Sequence, residues 1–259
     1  FTYAEDDIPL DKRPEIDRWI LSELHTLIEK VDAQYDNYEP TKAARLISSF
    51  VIEDLSNWYV RLSRRRFWKG SYEADKIAAY QTLYSCLVSV AKLMAPIAPF
   101  YADRLYQDLD KTTAKEQYAS VHLAYFPDAD NGFVDTALEE KMQRAQRIVS
   151  LVLSIRKKEK IKVRQPLQRV LIPALDRNEK QAIEEVSDLI AAEVNVKTIE
   201  ILDDASSILV KEIKPNFKTL GPRFGKEMKA VSEVIIGFGE EQIQTMEKEG
   251  SLSIEINGK

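Results

Sequence analysis

Arg61, Arg64, Arg65, Arg66 and Lys69 crowd into one short run that also holds Phe67 and Trp68. Guanidinium groups grip phosphate through paired donors, and both they and an indole ring stack on exposed bases. A second cationic run comes later: Arg156, Lys157, Lys158, Lys160, Lys162 and Arg164, closed by Pro166. The chemistry on offer is RNA recognition. Arg64, Arg65, Arg66 and Trp68 suit unstacked bases, with Arg61 beside them as a further RNA contact, and Lys157, Lys158, Lys160, Lys162 and Arg164 suit the phosphate backbone. A plainer reading stands beside it. Cations at a helix C-terminus offset the macrodipole by roughly 0.3–1 kcal/mol each, and the aromatics then simply fill a core.

Bond-making chemistry finds no such grouping. His122 has no cysteine, serine motif or carboxylate pair around it, and His25 lies off the apolar stripe of its helix, so it is expected at the surface without a role. Gly221 to Gly225 reads GPRFG and lacks the lysine-serine ending of a phosphate-binding loop. Cys86 is the single cysteine, so neither an internal disulfide nor a zinc site can be assembled. The expectation is no catalytic residue, no metal and no cofactor within this chain.

The two cationic runs sit at the ends of helices. Ala44, Ile47, Val51, Leu55, Trp58 and Leu62 recur at three- and four-residue steps, which predicts one continuous helix from Thr41 to Lys69 with Gly70 as its stop. Trp58 belongs to its core face. Before it, Pro14 opens a helix along Ile16, Trp19, Ile20, Leu24, Leu27, Ile28, Val31 and Tyr35. Pro40 heads the second helix. After it, Ile77, Tyr80, Tyr84, Leu87, Ala91 and Met94 predict a third helix ending before Pro96, and Phe100, Leu105 and Leu109 a short fourth after Pro99. Short connections between these four make an antiparallel bundle. Ser120 to Pro127 alternates, as a short strand or an extended crossing segment. Thr136 and Glu139 read as a capping box for a fifth helix lined by Leu138, Met142, Ala145, Val149 and Val152. Pro166 then forces Gln165 out of helix. Lys160 to Arg164 is therefore expected to be extended, with Lys160, Lys162 and Arg164 on one face.

Beyond Pro166 the texture changes: a β-like run at Val170–Ile172, a helix over Glu179–Ala192, strands over Val196–Leu202, Ile208–Ile213 and Ser251–Ile256, a tight proline turn between Gly221 and Gly225, and a helix over Lys226–Val234. The fold class is mainly α, an antiparallel helix bundle followed by a small α+β domain. Residues 1–165 form the bundle, with 1–12 as an incoming linker, and residues 166–259 the second module.

Composition agrees. A chain of 259 residues with 44% apolar and 31% charged residues is an ordinary globular sequence, and eight glycines argue for helices over a sandwich. Charges break every long apolar stretch, so no segment is expected to span a bilayer, and the lone cysteine points to the cytoplasm. The formal net charge of −5 runs against indiscriminate nucleic-acid coating. An acidic chain that binds RNA must gather its cations on one surface, as these two runs would, and that suits a structured RNA.

The string DLSNWYVRLSRRRFW at Asp54–Trp68 resembles the anticodon-binding region of isoleucyl-tRNA synthetases. So do DRWILSEL at Asp17–Leu24, DNYEPTKAARLI at Asp36–Ile47 and LMAPIAPFYADRLY at Leu93–Tyr106. IRKKEKIKVRQPL at Ile155–Leu167 and KPNFKTLGPRFGKEMK at Lys214–Lys229 resemble the eukaryote-like branch of that family, and the four-cysteine zinc module of the other bacterial branch is missing. The HIGH-type and KMSKS-type signatures and the editing domain do not occur here. The resemblance implies a bundle of the class I synthetase anticodon-binding type, with a small trailing domain. It would read the anticodon of isoleucine tRNA for catalytic and editing domains elsewhere in a parent ligase that uses ATP and Mg. Two alternatives stay open: the equivalent domain of valyl-tRNA synthetase, which carries a shorter echo of the string, and a helical protein-interaction module whose arginines dock an acidic partner.

Overall fold

The computed structural model describes residues 3–69, 71–174, 176–202, 213–239, 242–243, 245–246, 250–251 and 253. The expected helix stop at Gly70 and the strand segments at 208–212 and 254–256 fall outside them. Two compact units divide the chain: Phe1–Gln165 with Glu185–Val194, and Pro166–Glu184 with Asn195–Lys259.

The first unit is the helix bundle. α1 (Glu15–Asp36) buries Trp19, Ile20, Leu24, Leu27, Ile28 and Val31, the stripe its spacing requires. Pro14 stands one residue outside the helix, extended at ψ 154. α2 (Pro40–Ser49) has Pro40 in its first turn. The continuous helix expected from Thr41 to Lys69 is instead three segments: α2, an 11-residue segment of π-helical winding (Phe50–Val60), and the short α3 (Arg64–Trp68). Wider winding rotates the buried face. Phe50, Leu55, Trp58 and Tyr59 are buried, whereas Val51 and Leu62 are only half-buried. Phe67 faces inward on α3, where it packs near Tyr59 and Tyr80.

α4 (Ala74–Met94) is the central helix, packed against α1 on one side and α5 (Pro99–Thr113) on another. By length and composition it could cross a membrane, contrary to the expectation that no stretch could, but 56% of its apolar window is buried within the protein. Its deepest residues are Ala78, Ala79, Gln81, Thr82, Cys86, Ala91 and Leu93, most of them small. Small side chains let α1 approach closely, so the larger Tyr80, Tyr84 and Leu87 of the expected stripe stand at the flanks. α5 buries Ala102 and Tyr106 against Val88, Ala91 and Val121, while Phe100 stands 90% exposed rather than facing the core. Ser120 to Pro127 is no strand; it is a short 3-10 turn over Val121–Leu123 and then extended chain.

α6 (Thr136–Lys158) buries Leu138, Met142, Ala145, Val149 and Val152, the residues its periodicity selects. Its cap differs from the expected box. Asp135 Oδ1 accepts from the Leu138 backbone N–H at 3.0 Å, and Glu139 turns to α1, where it accepts from the Ser22 and Thr26 hydroxyls at 2.6 and 2.8 Å. His25 is half-buried rather than idle. Its Nδ1 accepts from the Asp130 backbone N–H at 3.0 Å and its ring stacks 4.5 Å from Phe133, which pins the segment ahead of α6. Desolvation lowers its pKa.

Glu23 sits near Asp54 and Glu139, with the Trp19 indole N–H 3.3 Å from its Oε1. Burial, then the charges of Asp54 and Glu139, push its pKa up to about 7. A carboxyl that holds its proton longer folded than unfolded contributes stability in full below about pH 4.5, and that contribution fades as pH rises through 7. Glu23→Gln is therefore expected to leave stability unchanged at pH 4 and raise it by about 2 kcal/mol at pH 8, in denaturant titrations at both values. A mutant curve parallel to the wild type across that range would show that Glu23 is not the titrating group.

The second unit pairs β1 (Leu167–Pro173) with β2 (Val196–Leu202) in parallel, Leu167 opposite Val196 and Ile172 opposite Ile201. α7 (Arg177–Glu184) belongs to this unit, whereas α8 (Ser187–Val194) belongs to the bundle and packs on α6. The single helix expected over Glu179–Ala192 is thus two helices in two units. α9 (Phe217–Phe224) runs through Pro222 where a tight turn was expected; Gly225, at φ 46, ends it, and α10 (Met228–Ile236) follows after a 3-10 turn.

Candidate nucleic-acid interface

The first cationic run splits in two. Arg66 is turned inward, against the expectation that it serves bases. Its Nη1 and Nη2 donate to Asp17 Oδ1 and Oδ2 at 2.6 and 2.7 Å, and Nη2 also donates to the Asp75 carbonyl at 2.8 Å. Asp17 is fully buried, and its Oδ1 also accepts from the Tyr59 hydroxyl at 2.9 Å. Burial acts to lower the Arg66 pKa, but its bonds to Asp17 and Asp75 outweigh that and raise it. Arg66 therefore fastens α3 to α1 and α4. A carboxylate in the first turn of α1 and an arginine 49 positions later give no local sequence signal, so their pairing was invisible.

Arg64, Arg65 and Trp68 face solvent. The Arg64 guanidinium lies 5.7 Å from the Trp68 ring centre, and Trp68 is 68% exposed. Arg61 stands over the ring of buried Trp58 at 6.0 Å, donates from Nε to the Asn57 carbonyl at 2.7 Å, and pairs with Glu193 of α8.

The second run also has an inward member, Arg156, 2% exposed. Its Nη2 donates to the Val194 carbonyl at 2.8 Å, at the C-terminal end of α8, and its Nη1 to the carbonyls of Lys162 and Gln165 at 3.2 and 3.1 Å. The stretch from Lys160 to Arg164 is accordingly a loop folded around one guanidinium and not the extended strip expected. α6 stops in a Schellman turn: the Lys160 N–H reaches the Lys157 carbonyl, the Ile161 N–H reaches the Arg156 carbonyl, and Lys160 takes φ 56. A left-handed position that usually holds glycine carries a cation here. Lys157, Lys158, Lys160, Lys162 and Arg164 are all exposed. Among the described residues none of these five, nor Arg64 or Arg65, forms an ion pair.

The runs converge. Arg61 binds Glu193 and Arg156 binds Val194, consecutive residues in the last turn of α8. The π-helical segment and α6 lie alongside each other, tied where the Gln146 side-chain amide donates to Asp54 Oδ1 at 2.9 Å. Between them runs an open groove of about 830 Å³, with Glu53, Asn57, Trp58 and Arg61 on one wall and Val149 and Ser150 among the residues of the other. Arg61 and Arg147 thus line the groove, and the second cationic run follows on α6 beyond its lining residues.

Nothing here is built to hold a metal: no group of three or more His, Cys, Asp or Glu side chains gathers among the described residues. Cys86 is fully buried, and burial pushes its thiol pKa up, which disfavours the thiolate.

Comparison with known proteins accords with this geometry. The family described as the anticodon-binding domain of tRNA ligase matches residues 17–172. The isoleucine–tRNA ligase of Porphyromonas gingivalis is 57% identical over 258 residues, and that of Bacteroides fragilis 55% over 258, each alignment covering 100% of this chain. The isoleucine–tRNA ligase of Thermus thermophilus is 39% identical over 251 residues, 97% of this chain. The chain spans 22–24% of the length of these curated relatives. All three are isoleucine enzymes, which disfavours the valyl reading, and all are bacterial, so they lend no support to the eukaryote-like branch. The match runs from the first turn of α1 through most of β1 and takes in both cationic runs, though not α8, and the chain belongs to the anticodon-binding domain family of tRNA ligases.

Proposed function

We propose that this domain holds the anticodon arm of an isoleucine-accepting tRNA, as one part of a cytoplasmic isoleucine–tRNA ligase. The ATP- and Mg-dependent attachment of isoleucine then belongs to catalytic and editing domains elsewhere in the parent chain. The observation that carries the reading is the meeting of two cationic runs on one turn of α8, with seven exposed cations outside any ion pair among the described residues. Arg61, Arg64, Arg65, Lys157, Lys158, Lys160, Lys162 and Arg164 supply phosphate contacts, and Trp68 supplies a stacking face worth ~1–3 kcal/mol per base. Arg66 is left out of this set because its charge is spent on Asp17.

Filter binding of the isoleucine anticodon stem-loop, beside the same loop with the anticodon exchanged, tests it. Tight binding of the first and weaker binding of the second is expected; equal binding, or none at high protein concentration, counts against it. Each lost phosphate contact lowers the slope of log K against log salt by about 0.7–0.9, so Lys157→Ala with Lys158→Ala should flatten that slope by about 1.4–1.8. The melting temperature should barely move, since exposed cations carry little stability.

A further inference from the structure

The groove between the π-helical segment and α6 has two arginines in its lining, Arg61 and Arg147, but the rest of that lining is of another kind from the cationic runs. Trp58 and Val149 give it an apolar floor, and Leu151, 66% exposed, stands at its edge without apolar cover. Glu53, Asn57 and Ser150 add hydrogen-bonding groups along the walls, with the Asn57 amide nitrogen 3.5 Å from Glu53 Oε2. Its volume, about 830 Å³, falls in the range of sites that enclose small ligands. The wider winding of Phe50–Val60 is what turns Glu53 and Asn57 toward α6 on the same wall as Trp58. A carboxylate inside an otherwise cationic surface repels phosphate and can only accept hydrogen bonds, so it selects a partner that donates.

We propose that this groove receives one unstacked base of the bound RNA, and that Glu53 and Asn57 read its edge, favouring a base with an exocyclic amino group over uracil. The inference rests on the reading of the domain as an anticodon-arm binder and assigns the base-reading role to a defined site. In this arrangement the base lies on Trp58, Val149 and Leu151. The amino group of adenine, guanine or cytosine donates to Glu53, and Asn57 supplies the complementary donor or acceptor. Arg61, at the mouth, exchanges Glu193 for the phosphate of the inserted nucleotide. An apolar peptide segment would use the same floor, but it gives no reason for Arg61 and Arg147 in the lining or for the exposed cations that follow on α6.

The test uses the isoleucine anticodon stem-loop and three relatives in which each anticodon base in turn is replaced by uridine or, where uridine is already present, by cytidine. Wild-type protein should lose about tenfold or more in affinity for at least one replacement of an amino-bearing base. Ser150→Trp fills the groove from an exposed position, and Glu53→Gln removes the obligate acceptor. Both should reduce that ratio to less than about twofold while still binding the loop, whereas Lys157→Ala with Lys158→Ala should weaken every loop alike and keep the ratio. Circular dichroism and melting curves establish that the variants are folded, and the two act by different means, so a fault in one leaves the other to decide. Undiminished discrimination in both groove variants overturns the inference and leaves the anticodon-arm reading intact, whereas a wild type that binds every loop equally well overturns the inference and counts against that reading too. A wild type that binds no loop sinks the anticodon-arm reading itself. Loss of loop binding to an apolar peptide competitor that leaves base preference unchanged identifies the groove as a peptide site and also overturns it.

Discussion

Arg66→Ala is expected to destabilise the bundle by about 3–5 kcal/mol, because it strands a carboxylate that has no access to water. Asp17 is fully buried, and its carboxylate accepts from the Tyr59 hydroxyl and from the two guanidinium nitrogens of Arg66. Removing the cation leaves an uncompensated charge, which the protein can relieve only by taking up a proton or by opening the α1–α3 contact. The mutant should therefore regain part of its stability as pH falls, the reverse of an ordinary surface arginine. Asp17→Asn in the Arg66→Ala background should recover much of the loss, since an amide can still accept from Tyr59. A double-mutant cycle by urea unfolding reads the coupling directly. If Arg66→Ala shifts the unfolding midpoint no more than Arg65→Ala does, the guanidinium is a surface group after all. RNA affinity measured on the folded fraction should fall little, which separates Arg66 from its neighbours in the same run.

That separation marks how far the chain could be read from its letters. Period-3.6 stripes on α1 and α6 selected most of their buried residues, because both helices pack one broad face on the bundle. They missed Asp17, Leu21, Ser22 and Arg156 and took in Ile16 and Tyr35, which are only half-buried. β2 matched its expected limits for the same local reason, a clean alternation. Failure came where winding or partnership is set at a distance. The π-helical segment turns Val51 and Leu62 partly away and brings Phe50 and Tyr59 inside, which a fixed period cannot anticipate. α4, packed against α1 and α5, buries small and polar residues in its N-terminal half and Val88, Val90 and Leu93 further on. Its tyrosines are left half-buried at the margin, which a fixed spacing did not anticipate. In the candidate interface, charge density along the sequence found both runs but could not tell the two arginines that build the surface from the cations that form it. Arg66 and Arg156 look like their neighbours until Asp17, Asp75 and the end of α8 are brought to them.

Arg156→Met is expected to show the second of these roles, with a loss of about 3 kcal/mol or more. The methionine fills much the same volume but donates nothing, so the carbonyls of Lys162, Gln165 and Val194 lose their common donor. Arg156→Lys should not rescue it: an ammonium is a compact charge, and the three acceptors are spread over two loop positions and a helix end. Arg164→Ala, exposed and outside any ion pair among the described residues, should change stability by less than about 0.5 kcal/mol, although it removes the same charge from the same run. The two mutants should also weaken RNA in different ways. Arg164→Ala deletes one contact and lowers the salt slope by about one contact's worth, about 0.7–0.9. Arg156→Met keeps every exposed cation but releases the loop that carries Lys160, Lys162 and Arg164, so binding should weaken with the slope nearly intact, because the cations must then be ordered at the moment of association. Trypsin should cut the mutant after Lys162 or Arg164 faster than the wild type, since the loop's backbone bonds to Arg156 are gone. Should Arg156→Met melt with the wild type and resist trypsin equally, the loop is held by its Schellman turn alone, and the position of the second cationic run owes nothing to the buried arginine.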